Sequence, residues 1–135
     1  MPETGEVTMY GSTIPGRPLG TANYMAPERI AQGPLDPRSD LFSLGVVIYE
    51  MATGRLPFAG ASPFETVTNV LDKNPVPLNH LMPHRPATLA RIVERLLAKR
   101  AADRYQSATA LIEHLTLPSK KNPLARALRR LQSSD

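Results

Sequence analysis

The stretch from Leu41 to Ala52, LFSLGVVIYEMA, is apolar around almost its whole circumference, broken only by Ser43, Gly45 and Glu50. A helix that is apolar on every face must be enclosed by protein or lipid. A helix needs about 20 apolar residues to cross a bilayer, and this run is too short. It therefore predicts a central core helix with other elements packed round it. Its ends are marked too: Asp36 can act as an N-cap, Pro37 fits the first helical position, and Gly54 with Pro57 stops the helix, giving bounds of about 37–53.

The partners of that helix are legible further along. Ser62-Pro63-Phe64-Glu65 has the spacing of a capping box, with Ser62 and Glu65 each satisfying the other's end of a first turn, and predicts a helix over 63–72. Pro75, Pro77, Pro83 and Pro86 then make a rigid connection. Leu89, Ile92, Val93, Leu96 and Leu97 recur at helical spacing and predict an amphipathic helix over about 87–99. Ala108, Leu111, Ile112 and Leu115 repeat the pattern over 107–116, with Ser107 as its cap and Pro118 beyond its end. Residues 1–20 show no period of either kind and hold Gly11, Pro15, Gly16, Pro18 and Gly20, which predicts a long loop. Such a loop is unusual in a compact domain unless it has a function or is disordered. With 14 prolines, 5% aromatic residues and no Trp in 135 residues, the expected fold is a single mainly α domain of short helices.

Charge divides the chain in two. Residues 1–117 carry as many acidic as basic groups, whereas 118–135 carry Lys120, Lys121, Arg126, Arg129 and Arg130 against Asp135, and so hold the whole net charge of +4. A neutral body argues against nucleic-acid binding, which needs positive charge on the folded surface. In the basic tail Leu124, Leu128 and Leu131 share one face of a predicted helix. Such a helix can touch an acidic membrane or partner, but a solvated helix end carries the same pattern more often and is the reading preferred. The absence of cysteine excludes disulfides and thiolate metal sites. His80, His84 and His114 have no carboxylate at ligand spacing, so they read as surface or loop residues and no metal site is expected. Residues 1–6 have neither a basic start nor an apolar run, and a cytoplasmic location is expected. Spacing alone brings out no phosphate loop, no Ser-His-Asp arrangement and no ligand cluster.

Four motifs in order do carry a resemblance. Gly20-Thr21-Ala22-Asn23-Tyr24-Met25-Ala26-Pro27-Glu28, then Asp40 to Met51, then Gly54-Arg55-Leu56-Pro57-Phe58, then Arg104-Tyr105 resemble the end of the activation segment, the central helix, the following turn and a late arginine of eukaryotic-type Ser/Thr protein kinases, including their bacterial members. The resemblance implies an incomplete kinase fold, the C-terminal-lobe portion, over 1–117, with the activation segment at 1–28 and a basic tail at 118–135. It implies that Glu28 and Arg104 meet as a buried ion pair tying the segment to the late helices. It implies that Asp40 is a structural carboxylate which holds the catalytic loop and transfers no proton. Thr21, Tyr24 and Met25 would wall the pocket for the substrate residue after the phosphoacceptor, with Thr21 pointing to Ser/Thr specificity. Thr8, Ser12 and Thr13 fall where activation-loop phosphorylation occurs in the family.

Kinase phosphoryl transfer uses a Gly-rich loop, a strand lysine paired with a helix glutamate, a catalytic-loop Asp and Asn, and a metal-binding Asp-Phe-Gly. None of these stands in residues 1–135. The expectation is a fragment of a Ser/Thr kinase, inert alone, with no catalytic residue and no cofactor of its own, ATP and magnesium belonging to the complete family member. A chain started late by truncation, a split gene or a mis-assigned start would account for this. The competing expectation is a pseudokinase-like module that binds a protein substrate or another kinase chain.

Overall fold

The structure is a computed structural model, and it describes residues 20–116 and 130–131. Within residues 20–116, two 3-10 turns, η1 (Thr21–Tyr24) and η2 (Ala101–Asp103), and six helices follow one another: α1 (Pro27–Ile30), α2 (Pro37–Thr53), α3 (Pro63–Asp72), α4 (Leu78–Leu81), α5 (Ala87–Leu96) and α6 (Ala108–Thr116). No strand occurs among the described residues. The predicted loop at 1–19 and nearly all of the basic tail lie outside them; Arg130 and Leu131 are helical and exposed.

Helix α2 begins and ends where its caps dictate. The Asp36 carboxylate accepts the Arg38 backbone N–H at 2.8 Å, satisfying one of the orphan donors of the first turn. At the other end Gly54 takes φ 70° and donates its N–H to the Glu50 carbonyl. That left-handed cap is open to glycine at no steric cost. Helix α3 opens on the Ser62 hydroxyl, which accepts the Glu65 N–H at 3.1 Å. The reciprocal half of the expected capping box differs by one residue, because the Glu65 carboxylate accepts from Ala61 and not from Ser62.

The core forms on two sides of α2. Phe42, Val46 and Tyr49 face Phe58, Val67, Val70 and Val93, whereas Leu41 faces Ile92, Leu96, Tyr105 and Leu111. Helices α2 and α5 cross closely at Gly45, where an added Cβ would stand 2.8 Å from Leu96 Cβ and 3.0 Å from Leu97 Cδ2. A third side of α2 is not enclosed: Leu44, Val47 and Met51 are 39%, 40% and 80% exposed.

Three expectations are corrected. Helix α5 ends at Leu96 and not near 99, since residues 98–100 turn to offer the Ala98 and Lys99 carbonyls to the Arg104 side chain. The proline-rich connection is not wholly irregular, for it contains α4, whose Leu78 is buried. His114 is not a loose surface group: it is half-buried on α6, with Nδ1 2.6 Å from the Tyr105 hydroxyl.

Candidate functional site

The segment Gly20–Glu28 is held in place from three directions. Gly20, at φ 96°, starts η1, and its carbonyl accepts both the backbone N–H and the side-chain amide of Asn23, at 3.1 and 3.2 Å. Helix α2 grips the next residue twice. The Ser43 hydroxyl donates to the Tyr24 carbonyl, and the Tyr24 hydroxyl donates to both Glu50 oxygens, at 3.0 and 2.9 Å. That bond to Glu50 comes first among the causes that raise the Tyr24 pKa, followed by burial and by the carboxylate's charge. Met25 and Ala26 then dip into the core, at 7% and 1% exposure.

The third hold is the ion pair. Arg104, with no exposed surface, donates to Glu28 through both terminal nitrogens, Nη1 to Oε2 at 2.9 Å and Nη2 to Oε1 at 2.7 Å. Its other three N–H groups go to the carbonyls of Ala98 (2.8 Å), Arg38 (3.0 Å) and Lys99 (3.1 Å). A guanidinium has five donors in a fixed fork, and here all five are used. Burial acts to raise the Glu28 pKa, but the bond to Arg104 and its charge outweigh that and leave it lowered. Below this pair the rings of Phe42 and Phe58 stack at 5.7 Å, with the Arg104 guanidinium 5.0 Å from the first and the Lys99 ammonium 4.1 Å from the second.

Thr21, Tyr24 and Met25 share the wall of one open cleft of about 520 Å³, together with Asp40 and Ser43. The three residues expected to dock a substrate are thus brought together, and Asp40 stands exposed on the same cleft. Glu28 and Arg104, 76 residues apart in sequence, are in direct contact. Thr8, Ser12 and Thr13 lie outside the described residues. Sequence reasoning missed Ser43, Glu50 and Lys99. The first two were visible as polar breaks in an apolar helix, while nothing local to Lys99 marked it.

Among the described residues no three His, Cys, Asp or Glu side chains are grouped to hold an ion. No described helix is long and apolar enough to cross a membrane.

Comparison with known proteins is consistent in direction. The model of the protein kinase domain family matches residues 7–116. The chain is 38% identical over 115 residues to the probable serine/threonine-protein kinase CE0033 of Corynebacterium efficiens, covering 82% of this chain and 17% of that protein. It is 36% identical over 121 residues to the serine/threonine-protein kinase PknL of Mycobacterium tuberculosis, covering 84% and 30%. Among solved structures, the twitchin kinase region of C. elegans superposes with a TM-score of 0.63 at 23% identity, over 84% of this chain and 21% of that one. The chain thus spans well under half the length of each of these proteins.

Proposed function

The chain belongs to the protein kinase family, and from that premise we propose that it is the helical, substrate-docking part of a Ser/Thr kinase, unable to transfer phosphate by itself. The observation that carries the proposal is the threefold anchoring of Gly20–Glu28 beside the cleft of Thr21, Tyr24 and Met25. A segment tied at Tyr24 and Glu28 presents a fixed wall to a peptide, and fixed geometry is what docking of a phosphoacceptor requires. The reaction of the complete enzyme would be transfer of the ATP γ-phosphoryl group to a Ser or Thr hydroxyl of a protein substrate. Residues 1–135 contribute none of the groups that bind ATP or magnesium or that orient the attacking hydroxyl. Dependence on ATP places such an enzyme's catalytic side in the cytoplasm.

Titration calorimetry of the purified chain with ATP and magnesium tests the proposal. No binding heat is expected up to millimolar nucleotide, and micromolar affinity would overturn it. A second reading, a non-catalytic module for a partner protein, is favoured by the open apolar side of α2 at Leu44, Val47 and Met51. Stable capture of an intact kinase chain, with no phosphorylation of a docked peptide by the complex, would select that reading.

A further inference from the structure

Lys99 stands outside every motif of the family resemblance, yet it makes an unusual set of contacts. Its ammonium donates to the Val70 carbonyl at 2.7 Å and the Asn69 carbonyl at 3.3 Å, in the last turn of α3. It lies 4.1 Å above the Phe58 ring. Asn69 returns to the same place, its side-chain amide donating to the Phe58 carbonyl at 3.1 Å. Phe58 stacks on Phe42, and the Arg104 guanidinium lies 5.0 Å from the centroid of the Phe42 ring. The Lys99 backbone closes the circuit, since its carbonyl accepts from Arg104 Nη2.

We propose that Lys99 is a positioning residue: its ammonium closes the carboxyl end of α3 and, through the stack Lys99–Phe58–Phe42–Arg104, fixes the seat of α3 relative to the Glu28 anchor. The consequence reaches the docking segment because α3 packs directly against η1. Two forces hold the ammonium there. The last carbonyls of a helix have no partners within it and carry the negative end of its dipole, so a cation at that place is favoured. The ring face adds a cation–π attraction that a neutral amine lacks.

The position also makes the amine responsive to pH. Burial lowers its pKa to about 8, with Asp72 at the end of α3 opposing the shift and Arg104 adding to it. A neutral amine keeps two N–H donors for the two carbonyls but loses the charge that both the helix end and the ring attract, so deprotonation weakens the ring contact and the closure of α3 while its hydrogen bonds remain. The sign for stability follows from proton counts. Between about pH 8 and about 10.4 the unfolded chain binds this proton and the folded chain does not, so this group makes stability rise with pH in that window.

The test needs neither nucleotide nor substrate, so its failure is separate from that of the kinase reading, on which only the consequence for docking rests. In the whole chain with 13Cε-labelled lysine, NMR resolves four lysines, Lys73, Lys99, Lys120 and Lys121. Lys99 should titrate about two units below the ordinary value, and the amide signals of Asn69, Val70 and Ala22 to Tyr24 should move with the same midpoint. Lys99→Arg keeps a permanent cation and should abolish that midpoint while leaving the Ala22 to Tyr24 signals near their low-pH positions. Lys99→Met should displace them at every pH and remove the stability rise. Titration of Lys99 together with the other lysines would overturn the proposal. So would Ala22 to Tyr24 signals that ignore a midpoint near 8 in the wild type, a reading that stands even where Lys99→Met fails to fold.

Discussion

Arg104→Met offers the most direct test of how the segment is held. Methionine replaces much of the buried volume, so the loss is chiefly electrostatic. Five hydrogen bonds disappear at once, leaving three backbone carbonyls and the Glu28 carboxylate without their donor. Breaking a buried ion pair from one side costs about 3–5 kcal/mol. Here Glu28 keeps a quarter of its side-chain surface in water, and partial rehydration moves the expectation toward the lower end, about 3 kcal/mol. Glu28→Gln should cost less, about 1.5–3 kcal/mol, because the amide oxygen still accepts one of the two bonds from Arg104 while the charge and the second acceptor are lost. Urea unfolding followed by circular dichroism measures both, with midpoints falling at unchanged slope. The pH dependence has a definite sign. The folded pKa of Glu28 is lowered, so the pair's contribution is complete above the ordinary glutamate value of about 4.3 and is lost as pH falls through the folded value. Glu28→Gln should lose that acid sensitivity. An Arg104→Met cost below about 1 kcal/mol would refute the buried-pair reasoning.

Two further perturbations probe the frame around the cleft. Gly45→Ala puts a Cβ 2.8 Å from Leu96 Cβ and should destabilise by about 1–3 kcal/mol through overpacking, read from the same unfolding curves. Tyr24→Phe removes the hydroxyl that donates to Glu50; a loss of about 1 kcal/mol, with the Ala22 to Tyr24 amides exchanging faster with solvent, is expected from a half-buried bond to a carboxylate.

The parts of the fold legible in advance were those set by local chemistry. Asp36-Pro37 and Gly54 bound α2, and Ser62-Pro63 opens α3, because a cap is a contact between near neighbours. The end of α5 was not legible, since what stops it is the demand of Arg104 for the Ala98 and Lys99 carbonyls, a contact made only in the folded chain. The same division holds in the site. Thr21, Tyr24, Met25, Glu28 and Arg104 were marked by resemblance to kinase motifs, and the structure puts the first three on one cleft wall and the last two in contact. Lys99 was not marked, because its role depends on the carbonyls of Asn69 and Val70, 30 and 29 residues away.

Helix α2 draws these strands together through the three residues that interrupt its apolar run. A helix that served only as core would need none of them. Ser43 reaches the Tyr24 carbonyl, and Glu50, seven residues on and so two turns along the same face, reaches the Tyr24 hydroxyl. Gly45, between them in sequence, lies buried where α5 crosses. The polar breaks therefore measure out one residue of the docking segment from both of its ends, while the glycine sets how closely α5 can approach. Just past the end of α5, Leu97 packs in the same core, and two residues later Lys99 closes α3. Enlarging Gly45 should thus push on Leu96 and Leu97, which lead into Lys99, and this predicts that Gly45→Ala and Lys99→Met will not be additive. Unfolding of the double variant decides it: a summed cost equal to the two single costs within about 0.5 kcal/mol would show the two contacts to be independent.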